Sequence, residues 1–242
     1  MDCKPYIRAH ADELIESLAA LIRIPSVEGT PEDGAPYGRE VARCLEEALA
    51  LGRRMGFRTH NMDGRVGWCE YGEGDEMVAV LSHLDVVPAG DGWAEAGPFS
   101  GEVKNGRIYG RGAMDDKGPA VASLYALAAL KEAGFAPSRR IRILFGTNEE
   151  TGCGDMAWYR EHGGEMPAMG FTPDGEYPII NGEKGIMNCT YARRLHQTGA
   201  YRLTRFEGGT ASNVSPAYAV AELDCPADAA GRIAADKVTV TP

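Results

Sequence analysis

No apolar run in this chain approaches the ~18 to 20 residues that would cross a bilayer, and its opening, MDCKPYIRAHADELIES, mixes acids and bases throughout. Lacking an apolar core and a small-residue cleavage site, that opening does not read as a secretory signal, so a cytoplasmic location is expected. Basic clusters are equally scarce. Short basic stretches such as Arg53-Arg54 and Arg139-Arg140 do not alter this, and a formal net charge of -10 disfavours the concentrated basic surface that nucleic acid needs. There is also no C-x-x-C pair. Cys3, Cys44, Cys69, Cys153, Cys189 and Cys225 lie far apart, with no Cys/His cluster at zinc-finger spacing, and are expected to be reduced and mostly buried. No internal repeat or low-complexity tract is present.

What is present is ordinary for a globular protein: 44% hydrophobic and 25% charged residues in 242, more than a self-sufficient core requires. Tyr6 to Ile22 sets Ile7, Leu14, Leu18, Leu21 and Ile22 largely on one face, predicting an amphipathic helix ended by Pro25. A second helix is predicted from Tyr37 to Met55, stopped by Gly56, and a strand from Val66 to Tyr71. MVAVL (Met77 to Leu81) lacks alternation, which suits a strand covered on both faces in a parallel sheet. Pro119 to Ala133, rich in Ala and Leu, predicts a helix; IRILF (Ile141 to Phe145) a strand; Asp155 to His162 a short helix; and Ala168 to Thr172 a short strand. This alternation implies an α/β fold, a mostly parallel sheet flanked by helices. From Ile186 the texture changes to strand-like pieces (IMNCTYARRL, AYRLTRF), a Gly-Gly turn, a helix from Ser215 to about Leu223 and a terminal VTVTP strand. A boundary is therefore expected between residues 1–185 and 186–242.

Four constellations carry possible chemistry. Ser82-His83-Leu84-Asp85 follows the apolar strand, where open α/β sheets gather ligands. Residues two apart in extended chain point the same way, so Asp85 can hold one ring nitrogen of His83 while the other binds a metal. GRGAMDDKGP places Asp115 and Asp116 side by side before the Ala-rich helix; adjacent acids repel unless a cation neutralises them, and a carboxylate can bridge two ions. Asn148-Glu149-Glu150 follows another strand, and its neighbouring acids face opposite ways, one toward a metal and one toward substrate as a general base. Thr172-Pro173-Asp174-Gly175 adds one more acid. Taken singly, each has a plain alternative: a histidine satisfied in a turn, an Asp-Asp helix cap, a surface Glu pair, a turn aspartate. Their joint occurrence at predicted strand ends supplies the nitrogen and oxygen ligands that zinc accepts.

SHLDVVPAGDGW, GRGAMDDKGP, NEETGCGDMAWY and FTPDGEYPIINGEKGI together resemble the zinc aminoacylase, carboxypeptidase and dipeptidase family, particularly its PepV-type dipeptidase branch. The resemblance implies a catalytic metal-binding domain over residues 1–185 and the start of an α+β lid domain over 186–242. It implies His83 and Asp174 on one zinc, Asp115 bridging, Glu150 on a second zinc, Asp85 orienting His83, Glu149 as general base, and Asn213 as a lid contact to substrate. Zinc is the expected cofactor, with manganese or cobalt as substitutes, and a small peptide the expected partner, with neither nucleic acid nor membrane. Relatives are expected to be longer, returning after the lid to supply a second histidine ligand. His10, His60, His162 and His196 fall in none of the family's motifs, so the second zinc site is expected to be incomplete, and Leu203 and Phe206 to face an unfinished core. Within the same fold a deacylase or carboxypeptidase is the alternative activity, and outside it a non-catalytic relative that binds metal or peptide.

Overall fold

Two Asx-Gly dipeptides and three apolar runs lay out the strands of the computed structural model, which describes residues 2–176, 179–182, 185, 187, 189–209, 216, 218–226 and 228. Asp63 and Gly64 both take positive φ, closing the turn between β1 (Arg58–Met62) and β2 (Val66–Tyr71). Asn105 and Gly106 do the same between β4 (Glu102–Lys104) and β5 (Arg107–Tyr109), a small hairpin. The apolar runs form β3 (Met77–His83) and β6 (Arg140–Gly146), and a shorter piece forms β7 (Met169–Phe171).

The five-stranded sheet has the order β1-β2-β6-β3-β7. β6, β3 and β7 run parallel, while β1 and β2 join antiparallel, so the sheet is mixed and the α/β class holds. β3 and β6 are in register from Met77↔Arg140 to His83↔Gly146, which brings their carboxyl ends out side by side. One face carries α2 (Ala11–Ile22), α3 (Arg39–Arg54) and α4 (Lys117–Glu132), whose Leu21, Leu45, Leu49 and Leu124 pack with Ile143 and Phe145. Burying these side chains, at ~1.5–3 kcal/mol for each fully buried Leu, Ile, Val or Phe, is the main force holding this layer to the sheet. Val66, Ala79, Leu144 and Tyr159 form a smaller cluster, with Met156 of α5 (Gly154–Glu161) packed against it.

The first predicted helix is two: α1 (Lys4–Ala9) and α2, separated at His10, whose φ of -109° leaves the helical range. His10 stacks on Tyr6 and its Nδ1 hydrogen-bonds the Tyr6 carbonyl. The chain falls into two units, Met1–Ile180 and Asn181–Pro242. In the second, β8 (Arg202–Gly208) pairs antiparallel with β9 (Ala219–Asp224). The helix predicted from Ser215 to about Leu223 is thus corrected: from Ala219 onward the chain is a strand, because pairing with β8 from Arg202↔Asp224 to Gly208↔Ala219, with a shift of register between Leu203 and Arg205, satisfies its backbone groups. No strand occupies the described residues of 186–195, and Phe206 is 68% exposed. Asn213 and the VTVTP segment lie outside the described residues.

Candidate metal centre

The carboxyl ends of three parallel strands meet at one place, and each delivers an acid or the histidine there. β3 ends in His83 and leads to Asp85, β6 leads through Thr147 to Glu149 and Glu150, and β7 leads to Asp174. Asp115 arrives from the turn that opens α4. His83 Nε2 lies 3.0 Å from Asp115 Oδ1, 3.5 Å from Asp174 Oδ2 and 3.9 Å from Glu149 Oε2. Two overlapping groups, His83 with Glu149 and Asp174, and His83 with Asp115 and Glu150, each have donor atoms within 4.8 Å of one another.

The opposite side of the imidazole is closed. Nδ1 is 3.0 Å from the Asp85 carbonyl and 3.4 Å from Asp85 Oδ1, so Asp85 holds that side of the ring and Nε2 is the nitrogen that faces the cluster. Asp85 is buried and also accepts the Glu149 N–H on Oδ1 (3.2 Å) and the Glu150 N–H on Oδ2 (3.1 Å). A single Nε2 lone pair serves one ion, so the two groups share one imidazole between them. Burial by itself would depress the His83 pKa, but the Asp85 hydrogen bond and the charges of Asp85, Asp116 and Asp174 push it up to about 10. Burial pushes the Glu149 and Glu150 carboxyls up, the surrounding acids add to the rise, and His83 opposes it.

This crowding fits a dication. Among the described residues no lysine or arginine forms an ion pair with Asp115, Glu149 or Glu150, and the donors are the imidazole nitrogen and carboxylate oxygens that zinc, manganese or cobalt accepts.

Three residues without an assigned role in the sequence reading shape the site. Asp116, read there as half of an acid pair, is fully buried, and its Oδ2 accepts the His83 N–H at 3.0 Å. Burial pushes its carboxyl up to about 7 against the opposing influence of His83. Asp155 of α5 accepts the Thr147 and Asn148 N–H groups on Oδ2, at 2.6 and 3.1 Å, and so fixes the loop bearing the two glutamates. Lys117 is buried completely, and burial depresses its pKa. An acid in the first turn of α5 is a visible signal for the loop anchor, but nothing in a sequence separates a buried Asp116 or Lys117 from an exposed one. His60 and His162 stack on Trp68 and Trp158, and His196 is exposed, so none joins the cluster.

Comparison with known proteins agrees with this geometry. Residues 79–239 match the model of Peptidase family M20/M25/M40. The chain is 44% identical over 220 residues to the YtjP protein of Bacillus subtilis (strain 168), covering 89% of this chain and 47% of that one. To the beta-Ala-Xaa dipeptidase of Lactobacillus delbrueckii subsp. lactis it is 38% identical over 230 residues, covering 93% and 48%. The chain spans about half the length of the curated relatives it matches. Among solved structures, human carnosine dipeptidase 1 shares the fold with TM-score 0.61 at 24% identity, over 72% of this chain and 41% of that one. The M20 metallo-carboxypeptidase Sso-CP2 of Sulfolobus solfataricus does so with TM-score 0.56 at 21% identity, over 68% and 37%. A family model that spans most of the chain, together with strand ends that bring its acids and histidine to one point, makes this chain a member of Peptidase family M20/M25/M40.

Proposed function

We propose that the chain forms the metal-binding part of a zinc-dependent dipeptidase, with residues 1–185 as its catalytic domain and 186–242 as part of a lid. The observation that carries this reading is the convergence of His83, Asp115, Glu149, Glu150 and Asp174 from separate loops on one small volume. In this reading His83 and Asp174 would hold one ion, Glu150 would hold a second, and Asp115 would serve both. When bound, such ions lower the pKa of water and polarise the scissile carbonyl.

The chain's own residues do the rest. Asp85 keeps the imidazole turned so that Nε2 faces the cluster, and through the Glu149 and Glu150 N–H groups it sets the distance between the glutamates and the histidine. Glu149, whose side chain is 44% exposed, stands on the open side of the cluster and accepts a proton from the attacking water, then returns it to the leaving nitrogen. Dipeptides are favoured as substrates because the beta-Ala-Xaa dipeptidase of Lactobacillus delbrueckii aligns over nearly the whole of this chain.

The test is a dipeptide hydrolysis assay with parallel metal analysis of the chain and of Glu149→Gln. The substitution should lower turnover by about 10² to 10⁴-fold while bound zinc is unchanged. Equal turnover in both proteins removes Glu149 as the base. Stoichiometric zinc without hydrolysis of any dipeptide favours the non-catalytic reading.

A further inference from the structure

We infer that Lys117 is a positioning residue: its buried ammonium ties the Asp115–Asp116 turn to the segment 21–26, which in turn holds the strand end bearing His83 and Asp85. The inference rests on the metal-site reading above and concerns how that site keeps its shape.

Lys117 Nζ donates to the Leu21 carbonyl at 2.9 Å and to the Ile24 carbonyl at 2.8 Å, at the end of α2. Two residues on, Ser26 Oγ donates to the Leu84 carbonyl at 2.6 Å, and the Ser26 carbonyl accepts the Val86 N–H at 3.0 Å. Those two bonds bracket Asp85. From Asp85 the connection runs to His83, and the His83 N–H returns to Asp116, the neighbour of Lys117. The contacts therefore close into a ring that contains both a histidine and an aspartate of the proposed centre, with Lys117 and Ser26 as its far links.

The Lys117 stem is closely packed against this turn. A Cβ on Gly112 would come within 3.0 Å of both Lys117 Cδ and Val86 Cγ1, so the turn before Asp115 lies directly against the stem. An apolar side chain of the same length would fill the volume with no charge to desolvate, so a buried ammonium here is retained for where its hydrogen bonds point. Both bonds go to carbonyls more than ninety positions away in sequence, at 93 and 96 residues, which is what holding one turn against a distant segment requires.

The experiment uses the full 242-residue chain, with Lys117→Met to keep the stem and remove the donors, and Ser26→Ala to cut the other link. Amide hydrogen exchange, measured without metal, should quicken about tenfold or more over 83–86 in Lys117→Met while β2 exchanges as before. Zinc titration by calorimetry should show each variant binding about 10 to 100-fold more weakly, as for other residues that orient ligands, with the double variant losing less than the combined single effects. Wild-type exchange over 83–86 with wild-type zinc affinity in a folded Lys117→Met overturns the inference, as does faster exchange spread evenly over the sheet. If Lys117→Met does not fold, Ser26→Ala decides: zinc affinity equal to wild type overturns the ring. A wild-type chain that takes up no zinc fails the metal-site reading, and the exchange measurement then still decides Lys117.

Discussion

The Asp85 carboxylate lies 3.4 Å from His83 Nδ1 and faces no solvent, being 1% exposed. Its two oxygens are committed to the Glu149 and Glu150 N–H groups, so one side chain fixes the orientation of the histidine and the placement of both glutamates. Asp85→Asn keeps the shape but turns an NH₂ toward one of those backbone donors. Divalent ion affinity should fall about 10 to 100-fold, the usual cost of losing a group that orients a ligand. Stability should fall by about 1–3 kcal/mol from the donor left unmet. Calorimetric zinc titration and chemical denaturation read the two effects separately, and an unchanged affinity would show that His83 needs no such partner.

Gly146 sits where β6 gives way to the glutamate loop. A Cβ there would lie 2.7 Å from Asp155 Oδ2 and 3.6 Å from His83 Cβ. Gly146→Ala should therefore push on the Asp155 carboxylate that holds Thr147 and Asn148, at a cost of about 1–3 kcal/mol for overpacking. Urea unfolding gives the number directly, and a midpoint equal to wild type would mean the loop yields without strain.

How much of this was legible beforehand depended on whether one residue's neighbours in sequence were also its neighbours in space. β2, β3, β6, α3 and α4 were visible because apolar runs and Gly stops are local signals. β1, reading RTHNM, was not, since it is a polar edge strand defined by its pairing with β2. The β4-β5 hairpin carries an Asn-Gly turn signal, but its strands are three residues each, too short to show an alternation. In the second unit AYAVAEL has the composition of a helix, while pairing with β8 makes its last residues a strand. The site was legible as a set of acids and a histidine at strand ends. The direction of Asp116, the anchor at Asp155 and the burial of Lys117 were not, because each depends on contacts that span the fold.

Glu70 and Arg142 make a second electrostatic test, away from the centre. Arg142, 6% exposed, donates to Glu70 Oε2 through Nε at 2.8 Å and through a terminal nitrogen at 2.6 Å, and Arg58 and Arg140 approach the same carboxylate. Burial works to raise the Glu70 pKa, but these arginines overcome it and hold the carboxyl below 4.5. A depressed folded-state pKa contributes stability that is fully present above the unfolded value and is lost as pH falls through the folded one. Glu70→Gln should cost about 1–3 kcal/mol at neutral pH, because the Arg142 guanidinium loses its closest carboxylate and, among the described residues, keeps only Glu165 as an acidic partner. It should also flatten the loss of stability below 4.5, which denaturation curves across that range would show; parallel acid limbs in both proteins would remove Glu70 as the cause.

Zinc itself supplies the last test, because an ion that binds the folded chain and not the unfolded one must stabilise it. At a free concentration about 100 times the dissociation constant the gain is about 2.7 kcal/mol. For a chain of this length, at roughly 2–4 °C per kcal/mol, the melting temperature should rise by about 5–10 °C. Both groups of donor atoms contain His83, so His83→Ala should abolish the rise, and chelation should reverse it in the wild type. Asp12→Asn, in the exposed first turn of α2, is the matching control and should leave the rise intact. A rise that survives His83→Ala would place the ion elsewhere on this acidic chain, and the convergence of the three strand ends would then need another explanation.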